Sequence, residues 1–442
     1  MKKSLYDKMT PLFPLMAHDW QEISPVEMLI YRLARGNTYN MRVVGMEAIK
    51  RFRRDNPGCA ITFKSNHLSE ADFVLLAVLF REHGLRLLIE GGSNLFLENI
   101  DIFQGLLPSL LGPSFGGLAE GRRLSVAQYL SQRGAFKVFR NPVSLPQPNG
   151  EEVKLGRKEI LSLARAYRQH LVMNKELYLT FPGFSTIRSG LLDLLKMDSV
   201  KTGRTYTGKI DGFHHLPFHM DIEASLDTGI DVSIVGVNVA YERVLEDDNF
   251  QELTRLHEAG VDPQDIYLKD LGYVVRRFLD DKRKANLSIK FSEPRKVEIK
   301  PMRGDVLGTK IKFAAHAYAR ETFEQVMGMQ PVFPANIFFS AFDEQFNRMP
   351  ARLMREKIDD LRDHLRHLTW GRQKRRVDLH FVLGYNHQIM SADEIINRTF
   401  EVFTATERPV TSLDGDSFVV HNHDVAAQYR NHIAHFFSES KK

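Results

Sequence analysis

Two periodicities alternate along the chain. From Ala60 to about Lys300, short runs rich in β-branched and aromatic residues are separated by stretches with helical spacing, which predicts an α/β unit. The strand candidates are Ala60 to Lys64, Leu85 to Glu90, Ala135 to Phe139, Glu176 to Phe181 and Val232 to Val239. Ala71 to Glu82 and Leu155 to Val172 read as helices between them. Several runs are apolar at successive positions, the pattern of strands covered on both faces in a largely parallel or mixed sheet. Before about residue 55, a Ser24-Pro25 start signal precedes Val26, Met28, Leu29, Tyr31 and Leu33 at helical spacing. After about residue 300, Lys310 to Met327, Ala351 to Leu368 and Val425 to Phe437 repeat that spacing. The expected organisation is a helical segment over 1–55, an α/β domain over 56–300 and a helical region over 301–442.

Two apolar segments each have two readings. Leu12 to Met16 with Trp20 either anchors at a lipid headgroup boundary or packs on its own domain. Asn94 to Gly117, rich in Leu and Phe and broken by Gly and Pro, either dips into lipid or lines an acyl channel, or else forms a buried helix-loop-helix. The run Phe73 to Phe80 is far shorter than the ~18 to 20 residues of a membrane span, and Asp7 and Lys8 interrupt the start before a signal-peptide core forms. Action on lipid would therefore take place on the membrane surface.

At 442 residues, 43% hydrophobic and 26% charged, the chain can bury a large core, which excludes intrinsic disorder and fibrous classes. A formal charge of +5 favours an anionic partner without naming one. The basic runs Lys282 to Lys284 and Arg372 to Arg376 lack the interleaved aromatics of single-strand binding, so nucleic acid is not expected. The lone Cys59 excludes an intramolecular disulfide and a Cys-rich zinc site, and suits a reducing compartment.

The segment from Ile61 to Asp72 carries the candidate chemistry: a strand, a polar turn and a helix start that hold His67 and Asp72 five positions apart. A histidine there can deprotonate a hydroxyl at neutral pH, and a carboxylate folded back onto its other ring nitrogen fixes the tautomer and raises its basicity. This is the base and orienter of a triad, with the substrate's hydroxyl as nucleophile. Cys59, just before the strand, reads as core. His214, His215 and His219 with Asp221, and His421 with His423, lack the helical pairing of a zinc motif, so no metal is expected.

Three further blocks follow in order, each a β-like run with polar or basic residues at its end. They are Gly134 to Arg140, then Leu177 to Gly190 with a second glycine-and-basic stretch at Gly203 to Lys209, and Ser233 to Val244. With these, the sequence resembles the glycerol-3-phosphate acyltransferase family, within the wider group of glycerolipid acyltransferases. His67 to Asp72 matches the family's His-x4-Asp block, and Gly134 to Arg140 its second block. Phe181 to Gly190 stands where the third begins, and Ser233 to Val244 ends in the family's Tyr-Glu pair at Tyr241 and Glu242. Tyr429 to Phe437 is similar to a C-terminal signature of the glycerol-3-phosphate branch. The resemblance spans roughly residues 56 to 440.

It implies a glycerolipid acyltransferase-like fold and an O-acyltransferase without a cofactor, moving a fatty acyl chain from acyl-CoA or acyl-carrier protein to glycerol 3-phosphate in phospholipid synthesis. Such an enzyme would sit peripherally on the cytoplasmic face of a membrane. His67 would be the base, Asp72 its orienter, and Arg140 with Arg188 or Arg204, assisted by Lys137, the grip on the acceptor's phosphate, since guanidinium donors match phosphate oxygens. Three departures stand out. Gly183-Phe184 replaces the third block's Glu-Gly pair, Gly236 stands where the fourth block has proline, and the gap before the second block is long. The first keeps open another acceptor (a lysophospholipid, dihydroxyacetone phosphate or an amine), or a non-catalytic lipid-binding protein of the same fold.

Overall fold

The computed structural model describes residues 5–16, 38–69, 71–92, 125–139, 142–146, 152–182, 212–245, 247–249, 284–298, 307–342, 347–370, 378–379, 382–383, 388–403 and 409–437, with 32, 36 and scattered positions between 252 and 277. The expected helix over Val26 to Leu33, Trp20, the segment Asn94 to Gly117, Arg140, Arg188, Arg204, the stretch Gly183 to Gly190, the stretch Gly203 to Lys209 and most of the two basic runs lie outside the described residues.

In chain order, α1 (Leu5–Met9) and a 3-10 turn precede β1 (Tyr39–Val44), α2 (Met46–Asp55), β2 (Ala60–Ser65), α3 (Ala71–Glu82) and β3 (Leu88–Gly92). Next come α4 (Val126–Gln132), β4 (Ala135–Val138), a hairpin of β5 (Val143–Pro146) and β6 (Glu152–Leu155), α5 (Arg157–Met173) and β7 (Leu177–Thr180). Then follow α6 (Leu216–Thr228), β8 (Val232–Tyr241), β9 (Ala285–Phe291), β10 (Arg295–Lys296) and α7 (Leu307–Gly328). The described C-terminal helices are α8 (Pro334–Ala341), α9 (Ala351–Trp370), α10 (Ala392–Phe403) and α11 (His423–Asn431).

The fold is α/β with a mixed central sheet flanked by helices. Its strand order is β1-β9-β8-β2-β7-β3-β4, with β10 on β8. Strands β8, β2, β7, β3 and β4 run parallel, so their C-terminal ends share one edge. Alternation along β2 separates two layers. Ile61 and Phe63 join Leu75, Leu76, Leu79 and Phe80 of α3 on one face. Ala60 joins Tyr178 and the inner side of α5 on the other. Every residue of β2 is buried, as expected of a central strand between helical layers.

Two glycines answer to geometry. Gly134, the first residue of the second block, has φ 95°, and a Cβ there would stand 2.6 Å from the Leu87 carbonyl oxygen. Gly236 donates its N–H to Ser292 Oγ at 2.8 Å, a bond that proline cannot make.

Sequence and structure differ in two places, and at a third the structure decides between two readings. The segment 1–55 is not wholly helical: Tyr39–Val44 is an edge strand paired in parallel with β9. Leu12 to Met16 takes the packed alternative, because Phe13 and Met16 are buried and the Phe13 ring meets Tyr167 of α5 edge-on at 5.3 Å. The region 301–442 contains a three-stranded sheet (Arg348–Pro350, Ser417–Val420, Thr411–Asp414) beside its helices. Its apolar residues, Phe338, Phe339, Ile395 and Tyr429 among them, belong to the same hydrophobic cluster as Phe63 and Val237 of the central sheet.

This shared core is locked by polar contacts. Glu242, just past β8, accepts both Nε and Nη2 of Arg398 from α10, at 3.0 and 2.7 Å. The Tyr429 hydroxyl donates to Asp247 Oδ2 at 2.9 Å and accepts the Val244 N–H at 2.8 Å. His432 is buried one turn on, and its burial, with His435 nearby, pushes its pKa down to about 4.

Unfolded, that imidazole takes its proton near pH 6.5. The neutral buried ring therefore contributes stability that is complete above that pH and lost as pH falls toward 4, about 3 kcal/mol for a shift of this size. Urea unfolding of His432→Asn should lose less stability than wild type between pH 7 and about 4. Parallel curves would contradict the burial of a neutral ring.

Candidate active site

The site is built where β2 ends. Asn66 closes the strand by a two-point clasp on β8, its Nδ2 donating to the Val239 carbonyl at 2.7 Å and its Oδ1 accepting the Val239 N–H at 2.8 Å. The next residue, His67, leaves the sheet at its C-terminal edge with 8% of its surface exposed. Ser69 caps the turn into α3, its Oγ accepting the Ala71 N–H at 3.1 Å. The first turn of α3 carries Asp72 back beneath the histidine, where an acidic side chain also suits the helix N-terminus.

Asp72 is fully buried and accepts at both oxygens. Oδ2 takes the Leu68 N–H at 2.8 Å, the Ser69 N–H at 3.1 Å and His67 Nδ1 at 2.9 Å. Oδ1 takes the Tyr241 hydroxyl at 2.5 Å. An ionised carboxylate only accepts, so His67 Nδ1 carries the proton and Nε2 carries the lone pair. Nε2 has no hydrogen-bond partner among the described residues. The ring is held by Phe181 at 4.5 Å and by Phe73, edge-on at 5.6 Å. The arrangement supplies an imidazole oriented by Asp72 and open at one nitrogen, at the C-terminal end of parallel strands where such folds place ligands.

Beneath the site lies a buried ionic cluster. Lys64 of β2 meets Asp221 of α6 at 2.5 Å with both side chains wholly buried, and donates to Thr180 Oγ1 of β7 at 3.1 Å. Asp221 Oδ1 accepts the Tyr178 hydroxyl at 3.0 Å and lies 3.5 Å from Arg168 Nε of α5, whose Nη2 reaches Glu90 of β3 at 2.7 Å. Burial, opposed by Asp221, lowers the Lys64 pKa to about 8.

The other expected residues fall as follows. Lys137 is nearly buried on edge strand β4, three strands from β2. At about 4.8 Å per strand its backbone stands some 14 Å from that of β2, so the fold does not bring it beside His67. Arg140, Arg188 and Arg204 lie outside the described residues. His214 stacks on His215 and His215 on His316, with ring centroids 4.8 and 3.9 Å apart, while Asp221 is committed to Lys64. No group of three or more His, Cys, Asp and Glu could hold a metal ion among the described residues. Cys59 is buried, and burial raises its thiol pKa, as expected of a core residue.

Sequence reasoning missed the roles of Asn66, Lys64 and Tyr241. Lys64, the one charged residue in the strand Ala60–Ser65, was a readable signal. The Tyr241–Asp72 contact joins residues 169 positions apart and had none.

No family model matches the chain, and no curated protein matches it.

Replacing Asn66 with alanine leaves both polar groups of Val239 without these partners, at about 1–3 kcal/mol each when buried. Chemical denaturation of Asn66→Ala should show that loss. A variant as stable as wild type would mean that the clasp does not hold the strand end.

Proposed function

We propose that the chain is an O-acyltransferase of the glycerol-3-phosphate acyltransferase type, working on a membrane surface. The observation that carries the reading is the His67–Asp72 pair, 2.9 Å apart at the end of a parallel strand with Nε2 unpaired among the described residues. The first, third and fourth blocks and the C-terminal signature also meet in space. Phe181 of the third lies on the His67 ring, Tyr241 of the fourth binds Asp72, and Tyr429 of the C-terminal signature clasps Val244 and Asp247 next to the fourth. A glycerolipid acyltransferase-like fold accounts for that convergence.

In this mechanism, Nε2 of His67 takes the proton of an acceptor hydroxyl as its oxygen attacks the thioester carbonyl of acyl-CoA or acyl-carrier protein. Asp72 stabilises the imidazolium that forms, and collapse of the tetrahedral intermediate expels the thiolate, which recovers the proton from His67. The acyl chain passes directly to the acceptor. The departing proton returns along the same nitrogen, so the residue regenerates in each cycle. Arg140 with Arg188 or Arg204 is the proposed grip on the acceptor phosphate. Lys137 is a less direct assistant given its place on β4. No described helix is long and apolar enough to cross a membrane, which accords with surface attachment.

The departure at Gly183-Phe184 makes the acceptor the point to test. Acyl transfer from labelled long-chain acyl-CoA should be followed on liposomes with glycerol 3-phosphate, lysophosphatidate, dihydroxyacetone phosphate and amine acceptors. Transfer to glycerol 3-phosphate should disappear in His67→Ala with folding retained, and Asp72→Asn should lose roughly 10²- to 10⁴-fold in kcat. Transfer confined to another acceptor would reassign the substrate, and turnover undiminished in His67→Ala would sink the mechanism.

A further inference from the structure

Lys64 lies three residues before the proposed base, yet its side chain points to the opposite layer, and no step of the chemistry uses it. Four elements around it contribute charged or polar groups, while β8 sets Gly236 beside it. Asp221 and the Phe218 ring come from α6, Thr180 and Tyr178 from β7, Arg168 from α5 and Glu90 from β3. Two cations and two anions thus lie together, all buried except the partly exposed Glu90, with the Arg168 guanidinium also over the Tyr178 ring at 4.9 Å. An enclosed set of charges is tolerated only while each keeps its partners.

The connectivity has a direction. Through Thr180, the ammonium binds β2 to the last residue of β7, and the residue that follows is Phe181, whose ring lies 4.5 Å from that of His67. We infer that Lys64 is a positioning residue: its ammonium, held between Asp221 and Thr180, fixes the end of β7 against the end of β2 and so keeps Phe181 on the His67 ring. This inference rests on the acyl-transfer reading of His67. The group that holds the clamp is titratable in a useful range, since burial brings Lys64 to about 8. Loss of that proton leaves the enclosed cluster with an excess negative charge and weakens the hold on Thr180. The folded-state pKa lies below the usual lysine value, so the clamp is intact at neutral pH and is released as pH rises through about 8.

Acyl transfer should be measured from pH 6.5 to about 9.5 in wild type, in Thr180→Val and in the charge-balanced pair Lys64→Met with Asp221→Asn. In parallel, the His67 ring resonance should be followed in protein carrying labelled histidine, assigned by its loss in His67→Gln. Wild-type kcat is expected to fall with a midpoint near pH 8 while KM for the acceptor holds. Thr180→Val should lower kcat about tenfold at neutral pH, again with KM held, as misplacement of a catalytic group does. The paired variant should lack the limb near pH 8 in both kcat and the His67 resonance. A merely structural role would lower the stability of Thr180→Val and leave its kcat profile unchanged, and that result would overturn the inference. So would a paired variant whose His67 resonance and profile coincide with those of wild type. If wild type turns over no acceptor, the acyl-transfer reading fails by itself. The resonance then decides the positioning claim: an inflection near pH 8 that the paired variant lacks supports it, and its absence in wild type overturns it.

Discussion

A single buried carboxylate organises this molecule's chemistry. Asp72 accepts two backbone N–H groups, an imidazole nitrogen and a phenol, all within 3.1 Å. The four donors come from three places: the turn after β2 supplies both N–H groups, the strand end supplies His67, and the far end of β8 supplies Tyr241. The donors offset the cost of burying the negative charge, and the carboxylate in turn fixes which nitrogen of His67 holds the proton. Without that fixed tautomer, the open nitrogen at the sheet edge would not be a dependable base.

The rest of the fold can be understood as support for that geometry. Strand β8 runs four residues past the last β2 partner, Val237, and so delivers Tyr241 above the end of β2. Asn66 pins β2 to this overhang through Val239. Immediately beyond it, Glu242, Val244 and Asp247 receive Arg398 and Tyr429 from the C-terminal helices. The C-terminal region therefore braces the segment that follows β8, the strand that supplies Tyr241 to the site. Its tie to the rest of the chain is one hydrophobic core together with buried polar contacts, which costs several kcal/mol to breach at any single buried group.

Much of this was legible in the chain, and the limits have physical causes. Helix Ala71–Glu82 has the expected bounds because an apolar run starts after a capping serine and ends at Arg81 and Glu82. The pairing of His67 with Asp72 was legible because both lie within one strand–turn–helix unit, where local geometry decides contact. Strands β1 and β9 were not: Tyr39–Val44 exposes Asn40 on a sheet edge, and Ala285–Phe291 follows directly on a basic run that hides its alternation. Long-range closure was equally opaque. No spacing rule brings Tyr241 to Asp72 or Tyr429 to Asp247, since those meetings depend on the strand order and on where α11 brings Tyr429 against the segment that follows β8. Lys137, expected as an assistant in gripping the acceptor's phosphate, lies on β4, and no local spacing rule gives the strand order that sets β4 three strands from β2.

Asp72 holds His67 with its proton on Nδ1 and its lone pair on Nε2. Nitrogen-15 spectra of protein with labelled histidine, recorded at mildly alkaline pH, read this directly. The account predicts a protonated Nδ1 and a bare Nε2 for His67, with that preference lost in Asp72→Asn. A proton on Nε2 in wild type, or a tautomer indifferent to Asp72, would contradict it.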